Sequence, residues 1–301
     1  MKFSIVIPTY NRAELVFRTL ESALAQDYAN FEVLVVDDGS TDDTERRFLA
    51  YHHPKVAYYR RPNGERGAAR NFGASKATGD YLNFFDSDDL MLPNHLSEAR
   101  KCIEAFDRPE VFAIGFRMED GAGKVKQTLR HLPDPLNETL LTGNVLGCNP
   151  VFVRKDIFER NSFDETRALA GSEDWLLWLR LSARFRFRFW DQVTSRLIDH
   201  SGRSVYHFAE TKLVGRSEIM LARLSEDEVF MNRYGAKIPG IRAFRYIYTG
   251  LHLALSGQVN RPMVFLYKAA VTRPSSLFRK ATLGTLKHVL RNLLRLGAGS
   301  A

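Results

Sequence analysis

A chain of 301 residues, 45% hydrophobic and 26% charged, has the composition of a folded protein and the length for one large α/β domain with a smaller appendage, which excludes a disordered chain. Its formal net charge of +8 is unevenly placed: twelve of the 43 Lys and Arg residues follow Glu228, where no Asp or Glu occurs, so residues 1–228 carry a net charge of −4. The two cysteines, Cys102 and Cys148, stand in no CxxC pair and beside no spaced His pair, which excludes a disulfide scaffold and a zinc site and makes a reducing cytosol the simplest compartment.

The opening MKFSIVIPTYNR has an apolar run, Phe3–Ile7, too short for the core of a signal peptide. No stretch approaches the ~20 apolar residues of a membrane span, so a cytoplasmic protein is expected. Phe3–Ile7 reads as a buried parallel strand ended by Pro8. Val16, Leu20, Ala23 and Leu24 follow at helical spacing, and Phe31–Val36 reads as a second buried strand. Ser40 with Asp43 resembles a capping box opening a helix to about Ala50. Val56–Arg60 is a third predicted strand, residues 66–78 an Ala-rich helix despite Gly67 and Gly73, Tyr81–Phe85 a fourth strand, and Pro93 opens a helix towards Phe106. This βαβα order predicts a Rossmann-like, doubly wound, mostly parallel sheet with right-handed crossovers.

Further on, Val111–Met118 and Val151–Val153 read as strands, with turns at Gly121–Gly123 and Pro133–Pro135. Glu173–Ala183 reads as a helix with Trp175, Trp178 or Leu179, and Ser182 along one face. Phe185–Phe189 alternates as a half-buried strand does, Val193–Ile198 reads as another strand, and from about Ser204 the pattern is helical to the end.

The chemistry concentrates at predicted strand ends. Asp86, Asp88 and Asp89, with Ser87 between them, directly follow the fourth strand. In an open α/β sheet, ligands bind at the carboxyl ends of strands. Carboxylates this close repel one another unless a cation neutralises them, and their oxygens suit Mg²⁺ or Mn²⁺. An acidic turn capping the next helix is the alternative for this motif taken alone. Asp37 and Asp38 end the second strand, and Pro8, Thr9, Tyr10, Asn11 and Arg12 end the first. Together these ends offer Asp for a base imide and ribose hydroxyls, Thr and Tyr for edge contacts, and Arg for charge.

The segments VIPTYNR, VLVVDDGSTDDT, RPNGERGAARNFGASKATGDYLNFFDSDD, FDE and SEDWLLWLRL, in order from about Met1 to about Ser204, resemble the family 2 glycosyltransferases of the nucleotide-sugar fold called GT-A. The resemblance implies a GT-A catalytic domain over 1–204, with a nucleotide-binding half at 1–110 and an acceptor-binding half at 111–204, followed by a basic helical region at 205–301. It implies an inverting transfer of sugar, usually from a UDP-sugar, to an acceptor hydroxyl on a saccharide or lipid-linked saccharide of cell-surface polysaccharide or glycolipid. Thr9, Tyr10 and Asp38 would hold the uridine, Pro8, Arg12, Asp37 and Ser87 would border it, Asp86 would lie near ribose and metal, and Asp88 would bind Mn²⁺ or Mg²⁺. Arg66 would reach the diphosphate or base, a solvated surface role being equally open. Arg70-Asn71 would support the acidic turn from behind. Asp174, in the acidic pair with Glu173, matches the family's general base; N-terminal helix charge is an alternative reading compatible with it. His200 is a further candidate for the metal or diphosphate, although Arg196 and His200 stand four apart where the family has Arg-x-His.

A sugar-phosphate nucleotidyltransferase would need a Gly-rich basic loop after the first strand, a place held here by Pro8-Thr9-Tyr10-Asn11. A nucleic-acid-binding module would not gather acidic strand ends in one cleft. A GT-A fold that has lost catalysis is opposed by the presence of every metal and base residue. Finally, residues 276–296 read as an amphipathic helix: Leu283, Leu286, Leu290 and Leu293 form one stripe, and Lys280, Lys287, Arg291 and Arg295 another. That helix suits either the anionic inner face of the cell membrane or packing of its leucines against the catalytic domain or a second subunit, with its charges in water.

Overall fold

The computed structural model describes residues 1–200 and 209–298, with side chains to Leu294. The chain divides into two compact units, Met1–Leu140 with Asn144–Ser201 and Leu141–Gly143 with Gly202–Ala301. The sequence boundary at Ser204 lies outside the described residues.

The first unit is built on one mixed sheet. Strands β1 (Phe3–Thr9), β2 (Phe31–Asp37), β3 (Val56–Arg60) and β4 (Tyr81–Phe84) are mutually parallel in the order β3-β2-β1-β4. Helices α1 (Ala13–Leu24), α2 (Thr44–Leu49) and α3 (Glu65–Lys76) make the crossovers. β1 is buried along its whole length, as a central parallel strand must be. It does not stop before Pro8, as the sequence suggested, but runs on to Thr9. The reason lies in the register. β1 pairs with β4 only as far as Val6↔Phe84, while the Asp38 N–H donates to Thr9 O on the β2 side. Pro8, alternating with Thr9, turns its missing N–H to the β4 side beyond the last pair, where no ladder bond is lost.

The sheet continues through β5 (Leu90–Met91), β6 (Val111–Asp120), β7 (Val125–Leu129), β8 (Val151–Arg154) and β9 (Phe187–Asp199), completing the order β3-β2-β1-β4-β8-β6-β9-β5 with β7 on β6. β8 runs antiparallel to β4 and to β6, and β9 runs parallel to β6. β9 merges the two strands expected at Phe185–Phe189 and Val193–Ile198 into one, with register shifts near Gly115 of β6. Helix α4 (His95–Ala105) covers this part, and α5 (Asn137–Leu140) and α6 (Lys155–Phe158) are single turns. One core runs beneath the sheet from Val16 and Leu20 through Phe3 and Tyr81 to Phe112 and Phe152, whose rings stack at 5.0 Å and 3°.

Two local expectations need correction. Ser40 does not cap α2: its N–H donates to Asp37 Oδ1, and Asp42 takes the Thr44 N–H at 3.1 Å instead. Helix α7 (Glu173–Arg184) has no single apolar face, because Trp175, Leu176, Leu177, Trp178, Leu179 and Leu181 are all buried. A helix covered all round is held in place from every side, so its first residues are rigid.

The second unit holds α8 (Glu210–Glu226), α9 (Glu228–Tyr234), α10 (Ile238–Leu255), α11 (Asn260–Thr272) and α12 (Lys280–Ala298), with a 3-10 segment at Pro274–Phe278 before α12. No described helix is long and apolar enough to cross a membrane. Gly250 of α10 lets its neighbours close in: a Cβ there would stand 3.4 Å from Phe265 Cβ and 3.7 Å from Thr285 Cγ2. The leucine stripe of α12 is not what packs. Thr282, Thr285 and Val289 are buried, whereas Leu283, Leu286, Leu290 and Leu293 are exposed.

Gly73 explains how α3 tolerates glycine. A Cβ at Gly73 would stand 2.4 Å from Val6 Cγ1 and 3.0 Å from Val36 Cγ2, both on stiff β-branched side chains of the central strands. Gly73→Ala would gain about 1 kcal/mol of helix propensity and lose more by overpacking. We expect a net destabilisation of about 1–2 kcal/mol in chemical denaturation; a stabilised variant would show that helix and sheet do not meet there.

Candidate active site

The carboxyl ends of β1, β2 and β4 and the start of α7 bring the site together. Asp37 ends β2, but it is fully buried and does not reach the cleft. Its Oδ1 accepts from the Ser40 N–H at 2.8 Å and its Oδ2 from the Tyr58 hydroxyl at 2.6 Å. It shapes the turn, in contrast to the ligand-contacting role expected for it. Asp38 is the group this turn presents. Its carboxylate accepts from the Gly64 N–H at 3.0 Å, and Arg61 Nη1 stands 3.5 Å away. Burial nevertheless pushes its pKa above the ordinary value, against the Gly64 and Arg61 contributions. Asn11, at φ 50°, folds the first loop back: its Oδ1 accepts from the Thr41 N–H at 2.7 Å. Thr9 is buried with its hydroxyl unpartnered, while Tyr10 next to it is exposed. Pro8 and Ser87 are buried.

The loop Asn63-Gly64-Glu65 closes this part. Glu65 opens α3 at φ 72°, a left-handed conformation uncommon outside glycine. Arg167 straps the loop, donating to Asn63 O at 2.7 Å and pairing with Glu65 Oε1 at 3.3 Å. Arg66 is half-buried on α3, close enough to Glu173 to favour its ionised form.

The acidic triplet divides into three roles. Asp86, Asp88 and Asp89 each have a carboxylate oxygen within 4.8 Å of the others. Asp89 faces inward: its Oδ2 accepts from Asn149 Nδ2 at 2.6 Å and its Oδ1 from the Ile198 N–H at 2.8 Å. Asn149 also receives the Asp86 N–H on its Oδ1 at 2.8 Å, so one amide side chain pins both ends of the turn. Asp88 Oδ2 faces Arg12 Nη1 at 2.7 Å and His200 Nε2 at 3.1 Å, which brings both sequence candidates to one carboxylate. Arg196 does not join them; it pairs with Glu119 on β6. Hard carboxylate oxygens from Asp88 and Asp86, with an imidazole beside them, fit a six-coordinate divalent cation such as Mg²⁺ or Mn²⁺.

Asp86 is joined to the acidic pair of α7 by Arg70. That guanidinium is 2% exposed, and donates from Nη2 to Asp86 Oδ1 and from Nη1 to Glu173 Oε1, each at 2.7 Å. Glu173 Oε2 accepts the N–H groups of Gly171 and Ser172. Burial works against the charge of Glu173, but Arg70, Arg66 and these N–H groups outweigh it and hold its pKa below the ordinary value. The adjacent Asp174 goes the other way. Burial, then the Glu173 charge, push it up to about 6, and Arg70 and the Trp175 N–H offset only part of this. Its Oδ1 accepts from the Trp175 N–H at 2.6 Å and from Asn144 Nδ2 at 3.3 Å. Two neighbouring carboxylates with pKa values driven apart are the arrangement that fits one group for a fixed charge and the other for proton transfer.

Sequence reasoning missed Asn149, Asn144 and Arg61, and saw Arg70 as a support without its second partner. An Asn-Pro pair at 149–150 signals only a turn; nothing local says that the amide reaches Asp86 and Asp89.

Residues 4–165 match the glycosyl transferase family 2. An uncharacterized glycosyltransferase of Rickettsia bellii is 33% identical over 189 residues, which is 59% of this chain and 27% of that protein. The chain thus spans less than a third of that relative's length. Staphylococcus aureus TarS, residues 1–349, crystallised with UDP-GlcNAc, superposes with a TM-score of 0.62 at 18% identity over 91% of each chain. A Pyrobaculum calidifontis mannosyltransferase in complex with GDP-Man and Mn²⁺ superposes with a TM-score of 0.54 at 17% identity, over 97% of this chain and 87% of that one. The fold is therefore that of the GT-A nucleotide-sugar enzymes, and with more than half of its length matched, the chain belongs to glycosyl transferase family 2.

Proposed function

We propose that the chain transfers a sugar from a nucleotide diphosphate sugar, a UDP-sugar, to an acceptor hydroxyl on a saccharide or lipid-linked saccharide, with inversion at the anomeric carbon. The observation that carries this reading is the opposed pair Glu173 and Asp174, tied through Arg70 to Asp86. The UDP-GlcNAc and GDP-Man complexes of the two fold neighbours support a nucleotide-sugar donor.

The chain's own residues divide the work. Asp38 is a carboxylate whose charge burial opposes, to which a uracil imide N–H would add a donor beside those of Gly64 and Arg61. The unpartnered Thr9 hydroxyl and exposed Tyr10 flank it. Asp88 and Asp86 would hold Mn²⁺ or Mg²⁺, which supplies Lewis-acid neutralisation of the departing diphosphate. Arg12 and His200, now on Asp88, stand where they also face that charge. Asp174 accepts the proton of the acceptor hydroxyl as its oxygen bonds to the anomeric carbon and the bond to the diphosphate breaks. Glu173, kept charged by Arg70, holds the helix start and stays out of the proton transfer.

The expected outcomes are specific. Chelation with EDTA abolishes transfer, and Asp88→Ala does the same while circular dichroism shows an intact fold; full activity in chelator rules out the metal role. Asp174→Asn lowers turnover by about 10²–10⁴ and leaves donor affinity intact. In the wild type the base must be ionised, so kcat/KM rises with pH through about 6 and then levels. The same shift bears on stability. A carboxyl whose folded pKa is raised stabilises the fold at low pH, and this contribution is lost as pH rises through about 6. Asp174→Asn therefore raises the melting temperature at pH 7.5. NMR of the product from an α-linked donor should show a β-linkage; retained configuration refutes inversion. Arg70→Lys keeps the charge but cannot bridge both partners, and should cost about 3 kcal/mol by breaking a buried ion pair.

A further inference from the structure

Helices α11 and α12 are apolar where a solvated helix is polar. In α11, Pro262, Phe265, Leu266 and Ala269 face inward at intervals of three, one and three. The opposite side carries Met263, Val264, Tyr267 and Val271, all exposed, with Tyr267 at 70%. A helix with apolar residues both inward and outward has a second face that water does not favour. In the 3-10 segment after it, Phe278 is 88% exposed and Leu277 beside it is also exposed. In α12, Thr282, Thr285 and Val289 are buried, and Asn292 Nδ2 donates to Ala254 O at 2.7 Å, which fixes the helix's rotation. Turned about 80–160° from that inward face at 100° per residue, Leu283, Leu286, Leu290 and Leu294 are exposed. Lys280, Lys287 and Arg291 lie one step further round, exposed, and pair with no carboxylate among the described residues.

Charge identifies what covers this surface. From residue 229 to 301 the sequence holds twelve Lys and Arg and no Asp or Glu. A two-fold contact with a second copy would bring the same patch to itself and set cation against cation with no acid to pair. An anionic lipid surface supplies both missing partners: hydrocarbon for the leucines, Phe278 and Tyr267, and negative headgroups for the lysines and arginine beside them. We infer that α11, the 3-10 segment and α12 form a docking surface for an anionic phospholipid bilayer, the apolar stripes lying in the headgroup boundary and Lys280, Lys287 and Arg291 reaching the phosphates. This peripheral attachment is independent of the proposed reaction, since it is read from binding alone.

Flotation of the full chain with vesicles tests it. Vesicles of phosphatidylcholine with about a third phosphatidylglycerol should carry the protein upward at 0.1 M salt, and pure phosphatidylcholine should not. Raising salt to 0.5 M should release most of it, because screening shortens the reach of surface charge. Each cation near such a surface strengthens binding about fivefold, so the triple variant Lys280→Glu, Lys287→Glu, Arg291→Glu should lose at least about 100-fold. Phe278→Ser with Leu290→Ser should lose about tenfold or more with unchanged melting temperature, since both side chains already lie in water. Donor hydrolysis or transfer to a soluble acceptor should be the same in all these variants. A chain that stays in the soluble fraction with anionic vesicles at low salt overturns the inference. So does a dimer in light scattering that Leu290→Ser converts to monomer without changing vesicle binding, which would assign the surface to a second copy.

Discussion

The site depends on one buried cation. Arg70 sits at 2% exposure on α3 and spends its two terminal nitrogens on Asp86, at the end of β4, and on Glu173, at the start of α7. A guanidinium taken out of water is costly unless it is paired, and here two carboxylates each take one terminal nitrogen while the buried Nε has no hydrogen-bond partner. The pairing therefore holds together elements 103 residues apart in sequence. It also sets the electrostatics. Glu173 is kept charged, and burial, with that fixed negative charge added, lifts Asp174 towards neutrality. Close packing around Arg70 leaves little room for alternatives: Phe163 lies under the guanidinium at 5.3 Å, and a Cβ at Gly67, one turn earlier, would stand 2.9 Å from Asp164 O.

A second constraint follows from the same logic. Three aspartates in four positions repel one another, and the fold separates them by assigning each a different neighbour. Asp89 is enclosed by Asn149 and the Ile198 N–H, Asp86 is matched by Arg70, and Asp88 meets Arg12 and His200. The enclosed residue holds the turn, and all three keep a carboxylate oxygen within 4.8 Å of one another. His95 adds a neutral tie beneath: burial holds its pKa down at about 3, and its ring bonds Thr194 of β9 and Asn83 of β4.

The second unit answers to different physics. Its three-helix contact at Gly250 is ordinary close packing, but α11 and α12 carry exposed apolar side chains, with the exposed Lys280, Lys287 and Arg291 beside those of α12. Such a face gains nothing from water, so its design refers to something outside the chain.

Much of this was legible in the residues alone, for a definite reason. Buried parallel strands read as continuous apolar runs, and polar clusters directly after them mark strand ends, so β1, β2 and β4 and the acids that follow them could be located without coordinates. Asp38, Asp86, Asp88 and the Glu173-Asp174 pair were visible as local motifs. What local pattern cannot carry is which atom faces which. Asp37 and Asp38 are adjacent and identical in type; the Ser40 N–H and the Tyr58 hydroxyl take up one, while the Gly64 N–H and Arg61 meet the other. Burial and the neighbouring Glu173 charge raise the pKa of Asp174, while Arg70, a contact across 103 residues, helps hold that of Glu173 down. The leucines of α12 are equally spaced for packing or for exposure, and the rotation that exposes them is set by Thr282, Thr285, Val289 and Asn292 meeting their neighbours. Sequence determined which elements form and where polar groups cluster, because both are set by neighbours along the chain. The tertiary structure alone decided which carboxylate has its pKa raised and which is held charged, and which residues of α12 face inward, because desolvation and charge pairing depend on groups brought together from distant positions.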